Sequence, residues 1–261
     1  MRLIVTRPAA QAHPWVQALR DLGLQAQALP LIDIAPAPDL AAVQAAWARL
    51  GNLALVMFVS ANAVNQFFAA RPVQAHWPQG LAAASTGPGT SAALRAQGLT
   101  QIVEPAPDAG QHDSEALWAR LALRDWNGAQ VLVVRGEDGR DWLADRFSSS
   151  GAQVGFVAAY SRLPPRWSAQ EQELLAQALA APHRHLWLFS SSQAIAHLQG
   201  LAPLADWSTS AAVASHPRMV QAARDAGFGQ VDLIAPGPQA VAAHLQQRSM
   251  AQAPSPAPPG S

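Results

Sequence analysis

The sequence predicts an α/β protein of two lobes, each a parallel sheet covered by helices on both faces. Three observations lead there. Short apolar runs alternate with helical spacing along nearly the whole chain, the order of these units repeats, and two proline-bounded extended segments lie where the repeats change over. Arg2 to Val5 reads as a buried strand and Thr6-Arg7-Pro8 as a loop. Ala9 to Leu22 carries helical spacing through Val16, Leu19 and Leu22, and Gly23 ends it. The same order returns from Val131 to Tyr160: an apolar strand, the loop Arg135 to Arg140, a helix through Trp142, Leu143 and Phe147, Gly151, and a closing strand.

A second kind of unit also occurs twice. Leu53 to Phe68 matches Leu186 to Leu198, with Phe58 over Phe189 and Ala63-Val64 over Ala194-Ile195. Downstream, Ala84 to Pro107 matches Val213 to Pro236, with Pro88 over Pro217 and Gly98 over Gly227. The chain therefore reads as an internal duplication, and strands alternating with helices imply parallel pairing. The remaining helices are Ala41 to Arg49, one capped by Asp113-Ser114 with Glu115 in its first turn, Ala169 to Ala180 capped by Ser168, and Gln239 to Arg248.

Periodicity leaves two ways to pair these units into lobes. The proline-bounded segments Leu29 to Pro38 and Val154 to Arg162 favour the interleaved one, because the chain then crosses twice, at those places. The expected boundaries are residues 1–33 with 163–248 for the first lobe, 39–156 for the second, and 34–38 and 157–162 for a two-stranded connector. Residues 249–261, rich in Pro, Ala and Ser, are expected to be disordered.

Composition excludes several functions. Seventeen basic residues balance seventeen acidic ones, which argues against a general nucleic-acid binder or a protein lying on anionic membrane. Without cysteine there is no disulfide framework, thiolate nucleophile or cysteine-zinc site. Met1 to Val5 is too short for a signal-peptide core and no apolar run approaches spanning length, so a cytoplasmic protein is expected.

In parallel sheets ligands bind beyond the carboxyl ends of the strands, where helix N-termini present free N–H groups. That selects six loops: Thr6-Arg7-Pro8, Ser60-Ala61-Asn62, Ser85 to Thr90, Arg135 to Arg140, Ser190 to Gln193, and Ser215 to Arg218. All are made of glycine, small hydroxyl residues or arginine, the groups that bind carboxylate or phosphate. Gly87-Pro88-Gly89-Thr90 lacks the lysine of a P-loop, so that reading is rejected. Glu137 and Asp138 have no partner carboxylates at ligand spacing, and His183-x-His185 lacks a third ligand; the two histidines are read as surface residues and no metal is expected. The nine tryptophans read as core packing. Tyr160, the only tyrosine, ends the second extended segment at the expected meeting of the lobes. Two readings of it stay open: a functional phenol in a cleft, or a core tyrosine with its hydroxyl on a backbone carbonyl.

Together these segments resemble the uroporphyrinogen-III synthase family: Arg7-Pro8, F-V-S-A-N-A-V at Phe58 to Val64, G-P-G-T at Gly87 to Thr90, D-S-E-A-L at Asp113 to Leu117, V-R-G-E-D-G-R at Val134 to Arg140, Y-S-R at Tyr160, F-S-S-S at Phe189 to Ser192 and S-H-P-R at Ser215 to Arg218. They cover the chain to about residue 245, in the family's order. The resemblance implies two flavodoxin-like, Rossmann-like lobes on a two-stranded connector. It implies the conversion of hydroxymethylbilane, a linear tetrapyrrole lined with acetate and propionate groups, with loss of water and inversion of the last pyrrole through a spiro intermediate. No cofactor or metal is expected. The expected partner is this small polycarboxylate, with neither nucleic acid nor membrane, and with the protein a monomer in at most transient contact with the preceding pathway enzyme. Tyr160 matches the family's connector tyrosine, proposed to assist departure of the hydroxyl; a phenol carries its proton at neutral pH and can act as an acid. Carboxylate binding is implied for Arg7, Ser60, Asn62, Ala63, Thr86, Gly87, Pro88, Gly89, Thr90, Arg135, Gly136, Gly139, Arg140, Ser190, Ser191, Ser192, Gln193, Ser215, His216, Pro217 and Arg218. Some members carry Gly-Pro-Thr-Thr where this chain has His216-Pro217-Arg218-Met219, so any role of those threonines is absent here or passes to His216 and Arg218. The rival readings are a bilobed anion-binding protein without catalysis and a sugar-phosphate enzyme using the Gly87 to Thr90 loop.

Overall fold

The structure, a computed structural model, describes residues 1–106, 114–137, 139 and 141–251. The chain divides into two compact units, Met1–Asp33 together with the chain from Leu163 onward, and Ile34–Arg162. In chain order the first elements are β1 (Arg2–Val5), α1 (Ala9–Asp21), β2 (Gln25–Ala28), β3 (Asp33–Pro36), α2 (Leu40–Ala48), β4 (Leu55–Phe58), α3 (Ala61–Ala69), β5 (Ala82–Ser85), α4 (Pro88–Ala96) and β6 (Ile102–Val103). They are followed by α5 (Ser114–Leu121), β7 (Gln130–Gly136), α6 (Trp142–Ser149), β8 (Gln153–Leu163), α7 (Ala169–Ala180), β9 (His185–Phe189), α8 (Ser192–Leu201), β10 (Ala211–Ala214), α9 (Pro217–Asp225), β11 (Gln230–Leu233) and α10 (Pro238–Ala251).

One unit has a five-stranded sheet in the order β11-β10-β9-β1-β2; the other has six strands in the order β3-β8-β7-β4-β5-β6. The β1–β2, β1–β9, β9–β10 and β10–β11 pairs are parallel, as are β7–β8, β4–β7, β4–β5 and β5–β6. Written from the other edge, the first order is β2-β1-β9-β10-β11, and β8-β7-β4-β5-β6 matches it strand for strand. The duplication is thus visible in topology, with the second unit entered in its middle, at β4, instead of at its β1 equivalent.

Both faces of the six-stranded sheet are covered. Val56, Phe58, Leu132 and Val134 point into one apolar cluster, while their neighbours Leu55, Met57, Val131 and Val133 point into another. This alternation explains why these strands read as continuous apolar runs. In the five-stranded sheet Leu3, Val5, Leu186, Leu188 and Val213 pack on α1 through Ala12, Val16 and Leu19. Gly98 and Gly227, matched by the repeat, both follow a helix C-terminus with φ of +84° and +96°, a backbone conformation that a side chain would strain.

Some expectations change. Residues 157–162 are not a separate connector strand: β8 runs unbroken for 11 residues and pairs with β7 as far as Tyr160, while β3 lies along its other side. Leu29 to Ile32, read as part of the extended segment, are not strand. Helix α10 continues three residues past Arg248, since nothing before Pro254 stops a helix; the rest of the expected tail lies outside the described residues. The cap expected at Asp113 also lies outside them. His185 is buried, its Nδ1 2.9 Å from the Ala181 carbonyl oxygen, so it is not a surface histidine. No described helix is long and apolar enough to cross a membrane.

Candidate active site

In each sheet the strand order reverses once. From β4 the chain builds outward through β5 and β6, then lays β7 against the other side of β4; β1 and β9 stand in the same relation in the other unit. Loops leaving such a pair of strands diverge, and ligands of open α/β sheets bind there. The loops are Val59 to Asn62 with Arg135 to Gly139, and Thr6 to Pro8 with Ser190 to Gln193.

Around β4 and β7 the chain builds a hydrogen-bonded array of three side chains. The register of β7 on β8 shifts after Arg135, which pairs with Ala158, so that Gly136 pairs with Tyr160. Such a bulge re-aims a side chain, and here it directs the Tyr160 ring against Gly136. A Cβ on Gly136 would stand 3.1 Å from Tyr160 Cζ and 3.2 Å from Cε2, so any larger residue would have to push the ring aside by a few tenths of an ångström. The Tyr160 hydroxyl accepts from Arg162 Nη2 at 2.9 Å and lies 3.2 Å from Ser60 Oγ. Ser60 caps α3, its Oγ accepting the Ala63 N–H at 3.2 Å.

Tyr160 is 0% exposed, in the core cluster with Phe58, Val134 and Ala159, which corrects the expectation of a phenol standing open in a cleft. The core reading is also incomplete, because among the described residues its hydroxyl meets two side chains and not a backbone carbonyl. Ser60 and Arg162 are half-buried and cover that hydroxyl. The sequence reading missed Arg162, although residues 160 and 162 fall on one side of a strand.

A family model described as "Uroporphyrinogen-III synthase HemD" matches residues 13–243. The chain belongs to the uroporphyrinogen-III synthase family. It is 30% identical over 183 residues to the uroporphyrinogen-III synthase of Escherichia coli K12, an alignment covering 68% of this chain and 72% of that one. It is 32% identical over 164 residues to that of Proteus mirabilis, covering 62% and 81%. The fold is similar to crystal structures of a mutant uroporphyrinogen III synthase from Thermus thermophilus (TM-score 0.56, 15% identity, 96% of this chain and 98% of that one) and of uroporphyrinogen-III synthetase from Helicobacter pylori 26695 (TM-score 0.56, 14% identity, 96% and 100%).

The remaining residues that the uroporphyrinogen-III synthase motifs single out fall into two groups. In the unit holding Tyr160, the Ala63 N–H is taken by Ser60 and its methyl group is buried, so the residue shapes the helix start instead of presenting a donor. Thr86 and Gly87 are half-buried and Pro88 and Gly89 exposed at the start of α4, whereas Thr90 is turned into the core. Beneath that loop, buried Ser85 Oγ and Ser91 Oγ meet at 2.6 Å. Nearby, the Glu104 carboxyl is held below its usual value by Ser91 and by Arg95. Asn62 is half-buried in the first turn of α3. Arg135 pairs with Asp141 and lies 4.5 Å over the Phe156 ring, with Gly139 alongside its side chain. Arg140 lies outside the described residues.

In the other unit, Arg7, Ser190 and Ser215 line one hollow with Trp15, Val213 and Gly237. The Arg7 guanidinium sits 4.3 Å over the Trp15 ring and has a neutral partner, Gln11 Oε1, at 3.4 Å. Burial lowers its pKa, the mark of a cation held partly out of water. Ser191 starts α8 without a side-chain cap, Ser192 is exposed and Gln193 half-buried. His216 caps α9 by accepting the Arg218 N–H on Nδ1 at 3.1 Å; its ring, Pro217 and the Arg218 side chain are exposed.

Proposed function

We propose that this chain is a uroporphyrinogen-III synthase, a cytoplasmic lyase that closes hydroxymethylbilane with loss of water and inversion of its last pyrrole, without a cofactor. Family membership supports this, and one observation carries it: the Tyr160 hydroxyl held between Ser60 and Arg162 where the six-stranded sheet reverses its order. An electron-rich pyrrole expels its hydroxyl with little help, so one placed acid suffices. The rest of catalysis is orientation, which must make spiro closure faster than spontaneous closure to the symmetric isomer. Acetate and propionate groups are the anions that helix N-termini and an arginine on an apolar wall bind well.

The test is chromatography of the porphyrins formed from freshly generated hydroxymethylbilane. Enrichment of the type III isomer is expected; the symmetric isomer of the spontaneous reaction, formed without enrichment of type III, would leave the anion-binding protein or the sugar-phosphate enzyme as the reading. On the same basis Arg7→Ala is expected to raise KM for the bilane about tenfold, the worth of one charge-assisted hydrogen bond, with kcat nearly unchanged. Steady-state kinetics check it, and an unaltered KM removes Arg7 from the site.

A further inference from the structure

The order of donors and acceptors around Tyr160 fixes a direction for proton movement. Arginine has five N–H donors, no acceptor, and keeps its charge at any working pH, so Arg162 Nη2 can only donate to the Tyr160 oxygen. The tyrosine hydrogen then needs another acceptor, because a buried O–H left unpaired is costly. Its described neighbour at hydrogen-bond distance is Ser60 Oγ, at 3.2 Å. Ser60 Oγ thus accepts twice, from Tyr160 and from the Ala63 N–H, which fills both lone pairs of a hydroxyl. Its own hydrogen is free to donate away from this cluster. Ser60 stands half-buried at the end of β4, next to the sheet's point of reversal, while Tyr160 behind it is sealed.

Resting on the function proposed above, the geometry points to Ser60 as the group that protonates the leaving hydroxyl, with Tyr160 as its proton source and Arg162 as the positioning residue that holds the resulting phenolate. The Ser60 proton passes to the substrate hydroxyl, and the C–O bond breaks with its electron pair to release water. The pyrrole nitrogen lone pair supplies the electrons to the methylene carbon. Ser60 takes the Tyr160 proton in the same movement, and the phenolate stays on the guanidinium. When ring closure releases a proton from the attacked pyrrole carbon, it returns to Tyr160 through Ser60, so no net proton is gained or lost beyond the water formed. Arg162 cannot serve as the outward donor, because it does not give up a proton.

Rates measured in mixtures of light and heavy water test the relay. The parent protein is expected to show a kcat isotope effect that curves with deuterium fraction, since two protons move together. Tyr160→Phe should make the dependence linear. Ser60→Ala should lower kcat about tenfold or more, and Ser60→Thr, which keeps both the hydroxyl and the helix cap, should restore most of it. Arg162→Met should also lower kcat about tenfold with KM changed less than about threefold, and Arg162→Lys should recover part of the loss. Thermal unfolding identifies any Ser60→Ala preparation that has lost its helix cap, and Arg162→Met then reads the same relay. An active parent whose Ser60→Ala and Arg162→Met variants turn over normally, or whose isotope dependence is linear, overturns the relay and leaves the proposed function standing. A parent that forms no type III isomer overturns the function itself.

Discussion

Tyr160→Phe is expected to lower kcat at least about tenfold while costing only about 1 kcal/mol of stability. The two effects separate because the substitution keeps the ring against Gly136 and in its core cluster, removing only the oxygen that joins Ser60 to Arg162. Both former partners are half-buried and can turn to water, so no sealed polar group is stranded. The loss in rate is kept modest by the ease with which a pyrrole expels hydroxide, and KM should hardly move, since a sealed hydroxyl touches no carboxylate. Turnover at saturating bilane together with urea unfolding checks both halves. Unchanged turnover would make Tyr160 a packing residue.

Trp47→Ala is expected to destabilise the unit formed by residues 34–162 by about 3–5 kcal/mol. Trp47 is nearly fully buried, stacks on Phe67 at 4.8 Å, meets Phe68 edge-on at 5.2 Å, and donates Nε1–H to the Phe67 carbonyl at 3.0 Å. Removing it opens a cavity among rings that cannot close in without breaking their mutual geometry, and leaves that carbonyl without its side-chain donor. Chemical denaturation reads the change; a loss under about 1 kcal/mol would mean the cluster collapses freely onto the gap. Phe58, whose strand leads into Ser60, belongs to the same cluster, so this packing also fixes where the relay stands.

What the sequence made legible was local. Ser168 reads as the cap of α7, and it does cap that helix, in a capping box completed by Glu171 that the reading did not include. The repeat sets Gly98 over Gly227, and both follow a helix with the left-handed backbone that only glycine takes readily. What it hid was set by register and distance. The shift that opposes Gly136 to Tyr160 depends on how β7 lies on β8, and no spacing within either strand announces it. For the same reason Gly136 read as part of an anion loop, and Arg162 as the end of a connector. The motif around Ala63 does not reveal that Ser60 takes its N–H, and two histidines flanking a strand resemble a surface pair although His185 is buried.

The parallel register of β1 with β9 has a consequence for how the protein is made. Thr6 bonds the Leu188 carbonyl across 182 residues of chain, so β1 waits for a parallel neighbour that is made much later. At the usual pace of a ribosome that wait is roughly ten to thirty seconds, during which the whole stretch from Ile34 to Arg162 emerges and can fold around its own strands. Nascent β1 and β2 spend it as an unfinished, two-stranded fragment in which Leu3, Ile4 and Val5 lack the neighbouring strand that completes their burial, an exposure of the kind chaperones cover.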